Sequence, residues 1–172
     1  MAGNAPDPQE FIRVVKPLLC HGDADALADT VAQRWAAADL CGLLCSDDMD
    51  VRRVTAMTLG LVGDQASQGC LAKALHDEDE QVNKMAEHGL WSIWFRAGSD
   101  DAMPLFQKGV SRLEAEDYEQ AITVLERAVE IDPDFAEAYN QLAIANYFNA
   151  RWQVALKRCR ETIDRVPVHF GA

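Results

Sequence analysis

Two stretches of this chain repeat one another at a fixed interval of 34 residues, and that interval constrains the fold more than any other feature of the sequence. Gly109 and Ala143, Tyr118 and Trp152, Ala121 and Ala155, Ala128 and Thr162, and Pro133 and Pro167 fall in register. Each copy holds two apolar runs at the three- and four-residue steps of a helix, small residues where two helices would cross, and a proline where the second would stop. Self-similarity at this spacing marks stacked helical hairpins, each too small to bury its own apolar face without a neighbour. A bulky residue at Ala121 or Ala155 is therefore expected to open a hairpin.

In AMPLFQKGVSRLEAEDYEQAITVLERAVEIDP the glycine, the two alanines and the proline stand at these positions. In AEAYNQLAIANYFNARWQVALKRCRETIDRVP, Tyr139, Leu142, Ala143, Trp152, Ala155 and Pro167 supply large, small and proline positions in the same order. Over residues 102–168 the chain resembles tetratricopeptide repeats. The resemblance implies two hairpins whose first helices line a concave groove presenting Phe106, Val110, Leu113, Asn140, Ile144, Tyr147 and Phe148. It also implies a protein or peptide partner, an extended segment or a helix, laid into that groove. Chaperone-binding members of the family clamp a C-terminal carboxylate with lysine and asparagine. Here Phe106 and Val110 occupy two of those positions, which disfavours such a tail as ligand.

A second, shorter interval of 31 residues relates SDDMDVRRVTAMTLGLVGD to DEDEQVNKMAEHGLWSI: Val51 to Val82, Thr55 to Ala86, Leu59 to Leu90. These positions step by four and share a helix face, while the acidic turns Ser46-Asp47-Asp48 and Asp77-Glu78-Asp79 offer N-caps and negative charge at the dipole's positive end. Gly60 and Gly63-Asp64 punctuate the chain before a short helix in ASQGCLAKAL, with Cys70, Leu71, Ala74 and Leu75 as its stripe. With Val51-Arg52 and Leu59-Gly60 the pattern resembles the HEAT-like repeats of the phycobilisome-lyase type. The second copy departs from it at Asn83 and Trp91.

Upstream, Phe11, Val15 and Leu19, then Leu27, Val31 and Trp35, show the same four-residue step and predict an irregular helical cap. The expected organisation is an N-terminal cap over 1–45, HEAT-like repeats over 46–98, and two tetratricopeptide units over 99–172. FRAGSDDAMP forms a short, stiff junction between the two repeat types. Val168-His169-Phe170-Gly171-Ala172 follows a repeat-ending proline, where a third unit or a solvating helix would begin. The fold class is all-α, a right-handed α-solenoid or superhelix of helical hairpins with about ten helices.

Charge and composition narrow the function. The chain carries 28 acidic and 16 basic residues, a formal net charge of −12, and acids outnumber bases on both sides of residue 100. This disfavours nucleic acid and anionic membranes as partners. No run of about 18 apolar residues predicts a membrane span, and the start has no basic region followed by an apolar one. The five cysteines, Cys20, Cys41, Cys45, Cys70 and Cys159, sit mostly in apolar periodic segments, as buried free thiols of a cytoplasmic protein would. Arg151, Lys157, Arg158, Arg160 and Arg165 concentrate positive charge in the last hairpin, suited to an acidic partner or to solvent.

Chemistry has little foothold. Cys41 and Cys45 share a helix face but lack the second pair of a structural zinc site. Cys20-His21 are adjacent and diverge. Glu87-His88 resembles the acid and histidine pairs of HEAT-type metal hydroxylases, yet Ala56 and Met57 stand at the equivalent places one interval earlier. No catalytic residue, metal site or cofactor is expected. The sequence predicts a non-enzymatic protein–protein interaction scaffold or adaptor, with two rival readings open: a homo-oligomeric self-assembly module, and a HEAT-type lyase or metal-enzyme fragment.

Overall fold

The computed structural model describes residues 6–172, which form an all-α protein without a strand. Ten helices follow in order among these residues: α1 (Pro8–His21), α2 (Ala24–Arg34), α3 (Ala37–Leu40), α4 (Met49–Val62), α5 (Gln68–Ala74), α6 (Glu80–Phe95), α7 (Met103–Glu114), α8 (Tyr118–Ile131), α9 (Ala136–Phe148) and α10 (Trp152–Arg165). Short 3-10 segments, Cys41–Cys45 and Gln65–Ser67, fill the chain between α3 and α5. The helices gather into two compact units, one ending at Ile93 and the other spanning Trp94–Ala172.

Aspartates begin many of these helices. The first amide groups of a helix have no intrahelical acceptor, and a short carboxylate just before them satisfies those donors and meets the positive end of the dipole. The Asp7 carboxylate accepts from the amides of Gln9 and Glu10 at 2.9 and 2.8 Å. Asp23 serves Ala26, Asp48 serves Asp50 and Asp79 serves Val82 at 2.9, 2.9 and 3.0 Å. Asp48 and Asp79 are the caps that the 31-residue interval brings into register.

In the first unit the matched residues of that interval are core. Val51, Thr55 and Leu59 on α4 and Val82, Ala86 and Leu90 on α6 are all fully buried. Phe11 and Val15 on α1 and Leu27 and Val31 on α2 are buried as well, and the Phe11 ring meets Trp35 edge-on at 5.5 Å. Gly60, expected at a turn, lies inside α4. A Cβ there would stand 3.0 Å from the Gly89 Cα, and one on Gly89 would stand 3.1 Å from the Gly60 Cα, so α4 and α6 cross at a pair of glycines. The helix stops only at Gly63, where a Cβ would strike the Leu59 carbonyl.

Two arginines of α4 grip the acidic turn ahead of α6. Arg52 binds Asp77 with Nε at 2.9 Å and Nη2 at 3.1 Å, reaches Glu78 at 3.1 Å, and donates through Nη1 to the Ser46 carbonyl at 2.9 Å. Arg53 forks onto Asp79 at 2.9 and 2.6 Å. Such bidentate pairs fix geometry as well as charge. The hydrogen bond from Arg53 is the main reason the Asp79 carboxyl is pulled down to about 2. At Asp77 burial pushes upward, but the Arg52 guanidinium and the Asp79 amide outweigh it and the carboxyl titrates low.

The cysteines differ from expectation. Cys41, in the 3-10 segment, and Cys70, on α5, are joined in a disulfide with their Cα atoms 5.7 Å apart, within ordinary bridging distance. Cys20 and Cys45 are exposed thiols and Cys159 is half-buried. Five buried free thiols therefore do not describe this chain. An interval of 29 residues hides the pairing, since only the fold brings Cys41 and Cys70 together.

The second unit is built on the 34-residue interval. Phe106, Ala121, Ile122, Leu125, Ala128 and Val129 from α7 and α8 form one core with Phe135, Ala138, Tyr139, Leu142 and Ala145 in and before α9. Gly109 allows α7 to lie against α8: a Cβ there would come within 2.5 Å of the Leu125 Cγ. The interval puts Ala143 in the place of Gly109 and Cys159 in the place of Leu125. Where the helix gains a methyl, the facing side chain is smaller.

Candidate functional site

The second unit carries an open groove of about 420 Å³ between α9 and α10, lined almost wholly by carbon. Asn140, Ile144, Tyr147 and Phe148 come from α9 and Trp152 and Leu156 from α10, with Ala143, Ala155 and Cys159 at the floor and Gly171 at one edge. Tyr147, Phe148, Trp152 and Leu156 are 61, 57, 66 and 49% exposed. Four large apolar side chains are thus clustered in water at this level, where surface hydrophobes are more commonly scattered singly.

The seven groove residues expected from the sequence divide into two sets. Asn140, Ile144, Tyr147 and Phe148 line this groove. Phe106, Val110 and Leu113 do not: Phe106 is 2% exposed, sits 4.6 Å from the Phe135 ring and 5.5 Å from that of Phe95, and Val110 and Leu113 pack half-buried against the same core. The reason is geometric. These three lie on the first hairpin's face, which α9 covers, and the groove belongs to the second hairpin, whose face has no such cover among the described residues. Trp152 and Leu156, on the second helix of that hairpin, complete the groove. Their register with Tyr118 and Ile122 is the sequence signal for them.

Asn140 is held from below. It is 1% exposed and its Nδ2 donates to the Glu137 Oε1 at 3.1 Å, where the Gln141 Nε2 also donates at 2.6 Å. The second oxygen of Glu137 meets the His169 Nε2 at 2.8 Å, and both side chains are fully buried. The His169 ring stacks on Trp94 with centroids 4.0 Å apart. This buried polar cluster escapes a reading by hydrophobic pattern. The 34-residue interval nevertheless pairs Glu137 with Met103 and His169 with Phe135, so a polar pair stands where the first repeat has an apolar one.

The positive charge of α10 is mostly engaged at its own unit. Arg158 pairs with Glu161 at 3.0 Å and Glu126 at 3.7 Å, Arg151 with Glu119 at 3.6 Å, and Lys157 with Glu161 at 3.8 Å. The Arg165 guanidinium lies 3.9 Å over the Tyr139 ring. Arg160 is exposed. It stands four residues after Leu156 and three before Ile163, which puts a cation on the apolar face.

Elsewhere, Glu87 and His88 are exposed on α6, and His88 borders a shallow groove with Met57, Leu61 and Met85. No group of three or more metal-ligating side chains occurs among the described residues, and none of their helices is long and apolar enough to cross a membrane.

A family model described as TPR repeat matches residues 111–149, from the end of α7 through α8 and α9. Searches of curated proteins and of solved structures return no match. The chain is thus all-helical, and residues 111–149 of its second unit are similar to a TPR repeat. Such repeats are protein–protein interaction modules.

Proposed function

We propose that this protein is a non-enzymatic adaptor that holds a protein partner on the apolar groove of its last hairpin, through Ile144, Tyr147, Phe148, Trp152 and Leu156. The observation that carries this reading is the exposure of those aromatics and leucine beside the buried, polar-anchored Asn140. A surface that presents so much apolar area to water lowers its free energy when a partner covers it, at roughly 25 cal/mol per Å². The net charge of −12 on the chain favours a protein surface over phosphate backbones. The buried register of Val51, Thr55 and Leu59 with Val82, Ala86 and Leu90 supports reading 46–98 as HEAT-like repeats behind the cap.

The test is co-precipitation from native extract with wild-type protein beside a Tyr147→Glu, Leu156→Glu double variant. Both positions are exposed, so the variant should keep its helicity. A partner retained by wild type and lost by the variant supports the groove. Equal retention, or no partner at all, overturns it. Phe106 does not belong in such a test, since a charge placed there would be buried in the core.

A further inference from the structure

In the first unit, α5 is too short to hold itself in place. It has seven residues, where a helix alone in water needs roughly 12 or more to persist. Its buried side chains are Gln68, Leu71 and Ala74. Leu71 is fully buried and reaches the crossing of α4 and α6, where its Cδ1 would meet a Cβ on Gly89 at 3.4 Å. The bridge to Cys41 adds a covalent fastening, and it ties α5 to a 3-10 segment of only five residues. The chain on either side of α5 is held independently of the sulfurs. α4 stops at Gly63 on the near side, and on the far side Arg52 fixes Asp77 at 2.9 Å.

The bridge is also within reach of solvent. Cys41 and Cys70 are half-buried, and each has an exposed glycine beside it, Gly42 and Gly69, with nothing within 4 Å of where a Cβ would stand. A disulfide that solvent reaches is the kind that thiols reduce, whereas one sealed in a core is shielded. We infer that the Cys41–Cys70 bridge is a redox-sensitive clasp on α5. Oxidised, it holds the helix over the crossing of α4 and α6. Reduced, it lets α5 swing out between Gly63 and Asp77 and uncovers that crossing while the other helices of the unit stay folded. The reductant is a dithiol. One of its thiolates attacks a bridge sulfur, forming a mixed disulfide and expelling the other cysteine as a thiolate, and its second thiol then closes on the first. The reductant leaves as a disulfide, and Cys41 and Cys70, having gained two electrons and two protons between them, stand as thiols. Opening is local because segments with few buried contacts open before the rest of a fold.

The test is limited trypsin digestion of the full chain in three states: oxidised, treated with dithiothreitol that is removed before the protease is added, and reoxidised. Fragments are read by mass. Lys73 is exposed on α5, Arg13 on α1 and Lys84 on α6. Cleavage after Lys73 should rise about tenfold or more on reduction, since opening α5 no longer works against a closed loop, and should fall back on reoxidation. Cleavage after Arg13 and Lys84 should not change. Hydrogen exchange should likewise quicken over 65–76 and not over α1 or α4. A Cys20→Ser, Cys45→Ser variant keeps the bridge and should respond as the wild type does. An unchanged rate at Lys73 would overturn the clasp. So would equal acceleration at all three sites, which would make the bridge a staple of the whole unit, and so would a response lost with Cys20 and Cys45, which would assign it to those thiols instead.

Discussion

At the residue scale, the arginines of α4 and the buried Glu137–His169 pair show what sequence pattern reveals and what it leaves out. The Val51-Arg52 step was legible through its resemblance to a HEAT-like pattern. The fork of Arg52 onto Asp77 was not, since a partner 25 residues away is set by the fold. Removing Arg52 as Ala should cost about 3–5 kcal/mol in urea unfolding, the usual cost of stranding one buried charge of a pair. A loss under 1 kcal/mol would show that Asp77 finds water instead. Asp79 gives a pH dependence. Its carboxyl is lowered from 3.8 to about 2, so its contribution is present above the unfolded value and is lost as pH falls through roughly 4 to 2. The stability difference between wild type and Arg53→Gln should therefore shrink across that interval, as followed by urea midpoints at successive pH values. At Glu137, His169→Phe and Glu137→Met should each destabilise. The double variant, which copies Phe135 and Met103 of the first repeat, should lose about 1–3 kcal/mol less than the sum of the singles, the coupling expected of touching groups. Additive losses would argue that the two side chains do not act as a pair.

At the scale of the elements, helix number and hairpin register follow from the two intervals because buried faces must recur every third or fourth residue. Boundaries depended on subtler matters. Gly60 reads as a breaker in sequence, yet it is the contact point of α4 with Gly89, and a glycine tolerated for close approach looks like one that ends a helix. Gly109 makes the cost of such contacts measurable. Gly109→Ala places a methyl against Leu125 and should destabilise by about 1–3 kcal/mol, as overpacking does. Adding Leu125→Cys, which restores the Ala143 and Cys159 pairing of the second hairpin, should recover part of that loss. Recovery of none would argue against the equivalence of the two hairpins. The Cys41–Cys70 bridge predicts that unfolded, unreduced protein takes up three alkylating groups and reduced protein five, counted by mass. Reduction should lower stability by about 3–4 kcal/mol for a loop of this length on the chain-entropy model. Five groups without reductant would show the pair to be open.

At the scale of the whole molecule, two compact units carry two different repeat intervals, and the proposed groove lies on the last hairpin of the second. The groove was only half legible in sequence. Family pattern pointed to first-helix positions in both hairpins, but position alone does not tell which face a following helix will cover. α9 covers Phe106, Val110 and Leu113, and among the described residues no such helix lies over Ile144, Tyr147, Trp152 and Leu156. The central claim is that a partner occupies this face. Its most direct test is a photo-crosslinking amino acid placed at Trp152 in the full chain, irradiated in native extract beside the same group placed at position 107. The account predicts a discrete protein adduct from position 152 that position 107 does not give. Adducts of the same yield from position 107, or no adduct from position 152, would contradict it.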